Sequence, residues 1–135
     1  MASAHYNLGL QDFLEADIDM LVDTIKVRLV RTSAYTFSQS HQFASSLPSA
    51  IVTDVTLGTK TSDGAGSDPG CFNAADAVFS AVGAGAAIDA LVIYKDTGAA
   101  GTSPLIAYID GFSVTPNGGD ITVQWANSSP FIFKL

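Results

Sequence analysis

Five carboxylates crowd into twelve residues of this chain, at Asp12, Glu15, Asp17, Asp19 and Asp23. Oxygen clusters of that density are what a hard cation such as calcium requires. An EF-hand loop beginning at Asp17 would need oxygen donors and a glycine where the chain has Leu21 and Val22, so that site is excluded, and the acids read as a solvated or partner-facing surface. His5 and His41 are the only imidazoles, too few for a three-histidine centre, and Cys71 has no evident companion ligands. For nucleophilic catalysis the best context is Gly101-Thr-Ser103-Pro-Leu105. It lacks the second glycine of G-x-S-x-G and precedes a strand instead of forming a strand-to-helix turn. Gly83-Ala-Gly-Ala-Ala-Ile88 holds two glycines of a dinucleotide loop, but the third is absent and no helix follows. No catalytic residue, metal or cofactor is assigned, and the chain reads as a non-enzyme.

Charge narrows the partners. Thirteen acids against six bases give a net charge of −7, a field that repels phosphate backbones and argues against nucleic acid. Half of the basic residues, Lys26, Arg28 and Arg31, fall within six positions. On an exposed strand face they would either meet an acidic partner, including the acidic segment of a second copy, or guard the strand against edge pairing. Only 14% of residues are charged while 47% are apolar, against about 25% charged in an average soluble domain. Such a surface is covered by a partner or by copies of the chain, or it is clothed in neutral Thr, Ser and Gly. With one cysteine the fold stands without an internal disulfide, and Cys71 is expected to be a buried small hydrophobe. The start, Met1 to Tyr6, has no basic region followed by an apolar stretch. No run approaches the roughly 18 apolar residues of a membrane span, so synthesis in a cytoplasm and no membrane association are expected. Asn127-Ser-Ser129 matches a glycosylation acceptor and is read as a chance match in a turn.

These residues must be positioned by something, and the hydrophobic periods say what. Tyr6, Leu10, Phe13 and Leu14 share one helical stripe, predicting a helix over about residues 4–16, with Gly9 inside it and no capping box at Ser3. From Thr24 the period becomes two, with Ile25, Val27 and Leu29 on one face and Lys26 and Arg28 on the other. Residues 32–50 lose all period around Tyr35, Phe37 and Phe43 and read as a long ordered excursion. Strands are expected over 51–59 and 71–82, separated by the Gly- and Asp-rich loop 61–70. Residues 88–94, apolar on both faces apart from Asp89, predict a central strand. Residues 105–109, 121–125 and 131–135 supply three more, with Trp125 as a core anchor. Four strands between residues 90 and 135 predict an all-β chain, a single β-sandwich or small jelly-roll-like barrel with a short N-terminal helix. Its parts are a helical arm over 1–23 and a β-sandwich domain over 24–135, long enough to bury roughly 65–70% of its unfolded surface.

At Ala90-Leu-Val-Ile-Tyr-Lys-Asp-Thr-Gly98, Leu105-Ile-Ala-Tyr-Ile-Asp110, Val114-Thr-Pro-Asn-Gly-Gly-Asp-Ile-Thr-Val-Gln-Trp125 and Phe131-Ile-Phe-Lys-Leu135 the chain resembles small structural proteins of tailed bacteriophages. Phe13-Leu14, Asp17-Ile-Asp19 and Asp23-Thr-Ile-Lys-Val27 resemble the same group; residues 31–75 lie outside the likeness. The resemblance implies a virion component, foremost a decoration or cement protein on the capsid exterior, made in the bacterial host cytoplasm. It would bind the major capsid protein and copies of itself as a homo-oligomer. Neck, tail or fibre association is the alternative within that group. The contact surface expected on this reading comprises Tyr6, Leu10 and Phe13 of the N-terminal segment, Lys26 and Arg28, and Tyr35, Phe37, His41 and Phe43 of the excursion. A carbohydrate-binding module is the alternative of another class, with Tyr35, Phe37, Tyr94, Tyr108 or Trp125 stacking on sugars.

Overall fold

The β-branched and aromatic runs separated by Gly, Asn and Asp become strands, and pairing sorts them into three open sheets. The computed structural model describes residues 2–63, 70–125 and 132–134. Among these the order is β1 (Ala2–His5), α1 (Asn7–Leu14), β2 (Ile25–Val30), β3 (Val55–Thr56), β4 (Thr61–Asp63), β5 (Cys71–Asn73), β6 (Ala77–Phe79), β7 (Ile88–Lys95), β8 (Leu105–Val114), β9 (Ile121–Val123) and β10 (Phe133–Lys134). Among the described residues the regular elements are mostly strands, with one short α-helix. The main sheet is five-stranded and wholly antiparallel, in the order β1-β8-β7-β2-β3. Two small antiparallel sheets, β10-β5-β4 and β6-β9, accompany it.

Both faces of the main sheet are buried, which is why β7 reads as apolar on both sides. On one face Val27, Ile93 and Ala107 lie in one cross-strand row and Leu29, Leu91 and Ile109 in the next. These pack with Phe72, Phe79, Val123, Trp125 and Phe133 of the small sheets and their flanks in the larger core. On the other face Val30, Ala90, Val92, Tyr94, Leu105 and Tyr108 join Tyr6, Tyr35 and Ala44, with Phe37 and Leu47 packed against them, in a second, smaller core. Through Tyr35, Phe37, Ala44 and Leu47, residues 32–50, which lack periodicity, therefore cover this sheet face. Trp125 is buried and donates its indole N–H to the Ala75 carbonyl at 3.0 Å, and Cys71 is buried.

Several boundaries differ from the sequence reading, each for a reason of pairing. Residues 2–5 form the edge strand β1 on β8, so the helix spans 7–14 and not 4–16. Tyr6 precedes it and is fully buried. The stretch expected as one strand over 51–59 is strand only at Val55–Thr56. The stretch over 71–82 breaks into β5 and β6, which belong to different sheets. Residues 64–69, residues 127–129 of the glycosylation pattern, and both Phe131 and Leu135 of the last expected strand lie outside the described residues.

Two backbone details place the helix. A Cβ built on Gly9 would stand 2.4 Å from the Leu105 carbonyl oxygen and 3.4 Å from the Ile106 Cα; the helix lies backbone-to-backbone on β8, and only glycine allows it. The helix then closes with Ala16 in the left-handed region, φ 61°. Ala16 N–H donates to the Phe13 carbonyl and Asp17 N–H to the Asp12 carbonyl at 2.8 Å, a Schellman turn with alanine at the position usually given to glycine.

Candidate partner-binding surface

The excursion is fastened to the sheet through polar groups, and this decides which expected contact residues reach the surface. Asp89 accepts from the Thr32 backbone N–H at 2.8 Å and from the Thr32 hydroxyl at 2.6 Å, which holds its carboxyl below the usual carboxylate range. Further along, the Tyr6 and Tyr35 hydroxyls are 2.9 Å apart, and the Tyr35 hydroxyl lies 2.7 Å from His41 Nδ1. Phe37 stacks on Tyr108 with ring centroids 4.5 Å apart and meets Tyr6 edge-on. Burial, then the hydrogen bond with Tyr35, pushes the Tyr6 phenol far above its ordinary value, so it is a neutral hydrogen-bonding group. Tyr6 and Tyr35 are thus core residues, Phe37 is half-buried against the core, and His41 is half-exposed at the end of the chain of hydroxyls.

Lys26 and Arg28 point to the same face of β2, but neither presents a free positive charge. The Arg28 guanidinium donates from Nε and Nη2 to the Asp54 carboxylate at 2.9–3.1 Å and from Nη1 to the Pro48 carbonyl at 3.0 Å. It also lies over the Tyr94 ring, whose hydroxyl donates to the same carboxylate at 2.5 Å. Burial and the Asp54 charge both raise the Tyr94 phenol well above its ordinary value. Lys26 pairs with Asp96 at 3.0 Å. The planar, multidentate fork of arginine explains why this position clamps the excursion while the flanking lysine makes one ion pair.

The N-terminal segment is different. Among the described residues six large apolar side chains are exposed, and four of them, Leu10, Leu14, Leu21 and Val22, fall within residues 10–22; Leu14 is 89% and Val22 79% exposed. Phe13 is partly buried against the larger core, so the four-residue stripe read from helical spacing divides into two facing in, Tyr6 and Phe13, and two facing out, Leu10 and Leu14. Phe13, Ile18, Met20 and Leu21 line one side of a groove of about 360 Å3 whose other side includes Cys71, Phe72 and Phe133. The five acids surround this segment. The Schellman turn brings Asp12, Glu15 and Asp17 together, with ligating oxygens within 4.8 Å of one another; these are the residues that could hold a hard cation. Burial, then Asp17 and Glu15, raises the Asp12 carboxyl. Asp23 is instead held low by the Asp19 backbone N–H and by Lys95, which pairs with it at 3.2 Å.

Of the rings expected to stack on sugars, Tyr35, Tyr94, Tyr108 and Trp125 are buried and Phe37 is engaged by Tyr108. Phe43 is half-buried and lines a second groove, of about 370 Å3, with Asp12, Asp17, Gln42 and Lys95. Sequence reasoning named Phe43 and, separately, Asp12 and Asp17, but not their meeting with Lys95, because these residues come from distant segments. Among the described residues no helix is long and apolar enough to cross a membrane. No protein-family model matches the chain, and no curated protein matches it.

Proposed function

We propose that this chain is a non-enzymatic structural protein of a tailed-phage virion, a decoration protein that docks on the outer surface of the capsid shell through its N-terminal segment. The observation that carries the reading is the grouping of exposed Leu10, Leu14, Leu21 and Val22 in one segment of a chain whose other large apolar residues are mostly buried. Exposed apolar side chains framed by acids fit a partner surface that is apolar at its centre and basic at its rim. The partners on this reading are the major capsid protein and further copies of the chain. Many weak contacts repeated over a shell would stabilise it, because a ligand of the assembled state alone favours that state. The two small sheets, sharing a core with the main sheet, would form the second layer of an open β-sandwich, a rigid support for the docking segment.

The test is binding of purified protein to phage heads lacking it, with copy number per particle from quantitative mass spectrometry and location from cryo-electron microscopy. Hundreds of copies on the shell exterior are expected, and the double variant Leu14→Asp, Val22→Asp should lose binding while its Tm stays that of the wild type, since both side chains are exposed. A handful of copies at one vertex would move the assignment to the neck or tail, and undiminished binding by the variant would remove the N-terminal segment from the interface.

A further inference from the structure

The groove beside Phe43 is built from three segments that have no reason of local sequence to meet. Gln42 and Phe43 are brought to it by pairing with the first residue of β8 and the residues just before it: Leu105 N–H donates to the Gln42 carbonyl at 2.9 Å and Ala44 N–H to the Ser103 carbonyl at 2.8 Å. Asp12 and Asp17 arrive on the Schellman turn, and Lys95 and Thr97 from the end of β7 and the turn after it. At about 370 Å3 the groove lies within the range of small-ligand sites, roughly 300–1,000 Å3.

Three of its polar side chains have unspent hydrogen-bonding capacity. Asp23, Asp54, Asp89 and Asp96 each take donors from the protein. The carboxylates of Asp12 and Asp17 and the amide of Gln42 make no hydrogen bond among the described residues. Facing these acceptors, the Lys95 ammonium donates to the Asp17 carbonyl at 2.7 Å and pairs with Asp23, with donor capacity to spare. The far wall is preorganised. The Ser103 hydroxyl, the buried polar residue of this loop, donates to the Ala99 carbonyl at 2.8 Å and accepts from the Thr97 N–H at 3.0 Å, while the Thr97 and Thr102 hydroxyls lie 2.6 Å apart. A wall braced in this way loses little entropy on binding.

We infer that this groove is a binding site for carbohydrate, taking one or two terminal sugar residues of a glycan. Vicinal hydroxyls offer donors to Asp12 and Asp17 and acceptors to Lys95 and Gln42, and Phe43, half-buried in the groove lining, supplies an apolar group for the C–H face of a pyranose. A bare cation would use only the carboxylates, would gain nothing from the ring, and would meet Lys95 as a like charge. The groove shares Asp12 and Asp17 with the N-terminal segment, but the inference does not rest on the capsid-docking reading, because its test is run on the isolated protein.

The experiment is a titration of the isotopically labelled full chain, followed by amide NMR shifts, with D-glucose, D-galactose, D-mannose and N-acetyl-D-glucosamine, and separately with calcium chloride. Saturable shifts at Gln42, Phe43 and residues 95–104 with at least one sugar are expected. Gln42→Ala and Asp17→Ala, both at exposed positions, should each weaken binding about tenfold, the effect of one lost hydrogen bond to a charged or polar partner. Val78→Ser, at an exposed position on β6 outside the groove, should leave it unchanged. No saturable shift with any of the four sugars, shifts indifferent to both groove variants, or a response to calcium alone would each overturn the assignment.

Discussion

Replacing Gly9 by alanine sets two principles against each other with opposite signs. Within a helix, Gly→Ala alone stabilises by about 1 kcal/mol. Here the new Cβ would sit 2.4 Å from the Leu105 carbonyl oxygen, backbone that cannot swing aside as a side chain could. Reaching an ordinary contact of 3.4 Å or more moves the helix by about 1 Å. That movement disturbs the bonds at its start, Tyr6 N–H to the Ile106 carbonyl and Asn7 N–H to the Gln39 carbonyl. Overpacking of this kind costs about 1–3 kcal/mol, and against rigid backbone the upper part of that range applies. The net expectation is a loss of about 2 kcal/mol, lowering Tm by roughly 6–10 °C and the urea midpoint by about 1 M. Urea unfolding followed by the fluorescence of Trp125, the single tryptophan and a buried one, measures it directly. Gln11→Ala, at an exposed site on the same helix, controls for propensity and should stay within about 0.5 kcal/mol of wild type. A Gly9→Ala midpoint at or above the wild-type value would refute the backbone-contact argument.

The end of the same helix reverses the usual expectation for glycine. Ala16 is exposed with φ 61°, a conformation that costs an L-residue roughly 1 kcal/mol. Ala16→Gly should therefore raise stability by about 0.5–1 kcal/mol in the same urea assay; a loss of stability would show that the turn is not strained. For pH, the Asp89 carboxyl is held below its unfolded value near 3.8 by Thr32, so its ionised form stabilises the fold above that value. The contribution disappears as pH falls through the lower folded value. Asp89→Asn should accordingly be less stable than wild type at pH 6–7, and the gap should close as pH falls below the unfolded value near 3.8 and through the lower folded value; a difference that is constant with pH would show that the charge has no part in holding Thr32.

The sequence by itself determined what depends on neighbours along the chain. Alternation in Ile25–Val30 announced a strand with one apolar face, the doubly apolar run at 88–94 announced a central strand, and the burial of Trp125 and Cys71 followed from residue type. The strand-rich class and the short N-terminal helix were legible for the same reason. Tertiary structure alone decided which strand pairs with which, and that choice made an edge strand of Ala2–His5 and split 71–82 between two sheets. It turned the basic pair of β2 inward, because the partner of Arg28 lies 26 residues away at Asp54, and it tied the excursion down through Asp89, 57 residues from Thr32. The groove at Phe43 is of the same kind. Hydrophobic period is a local property written in three or four residues, whereas ion pairs, backbone contacts such as Gly9 on Leu105 and the walls of a groove exist only when distant segments are brought within a few ångströms of one another.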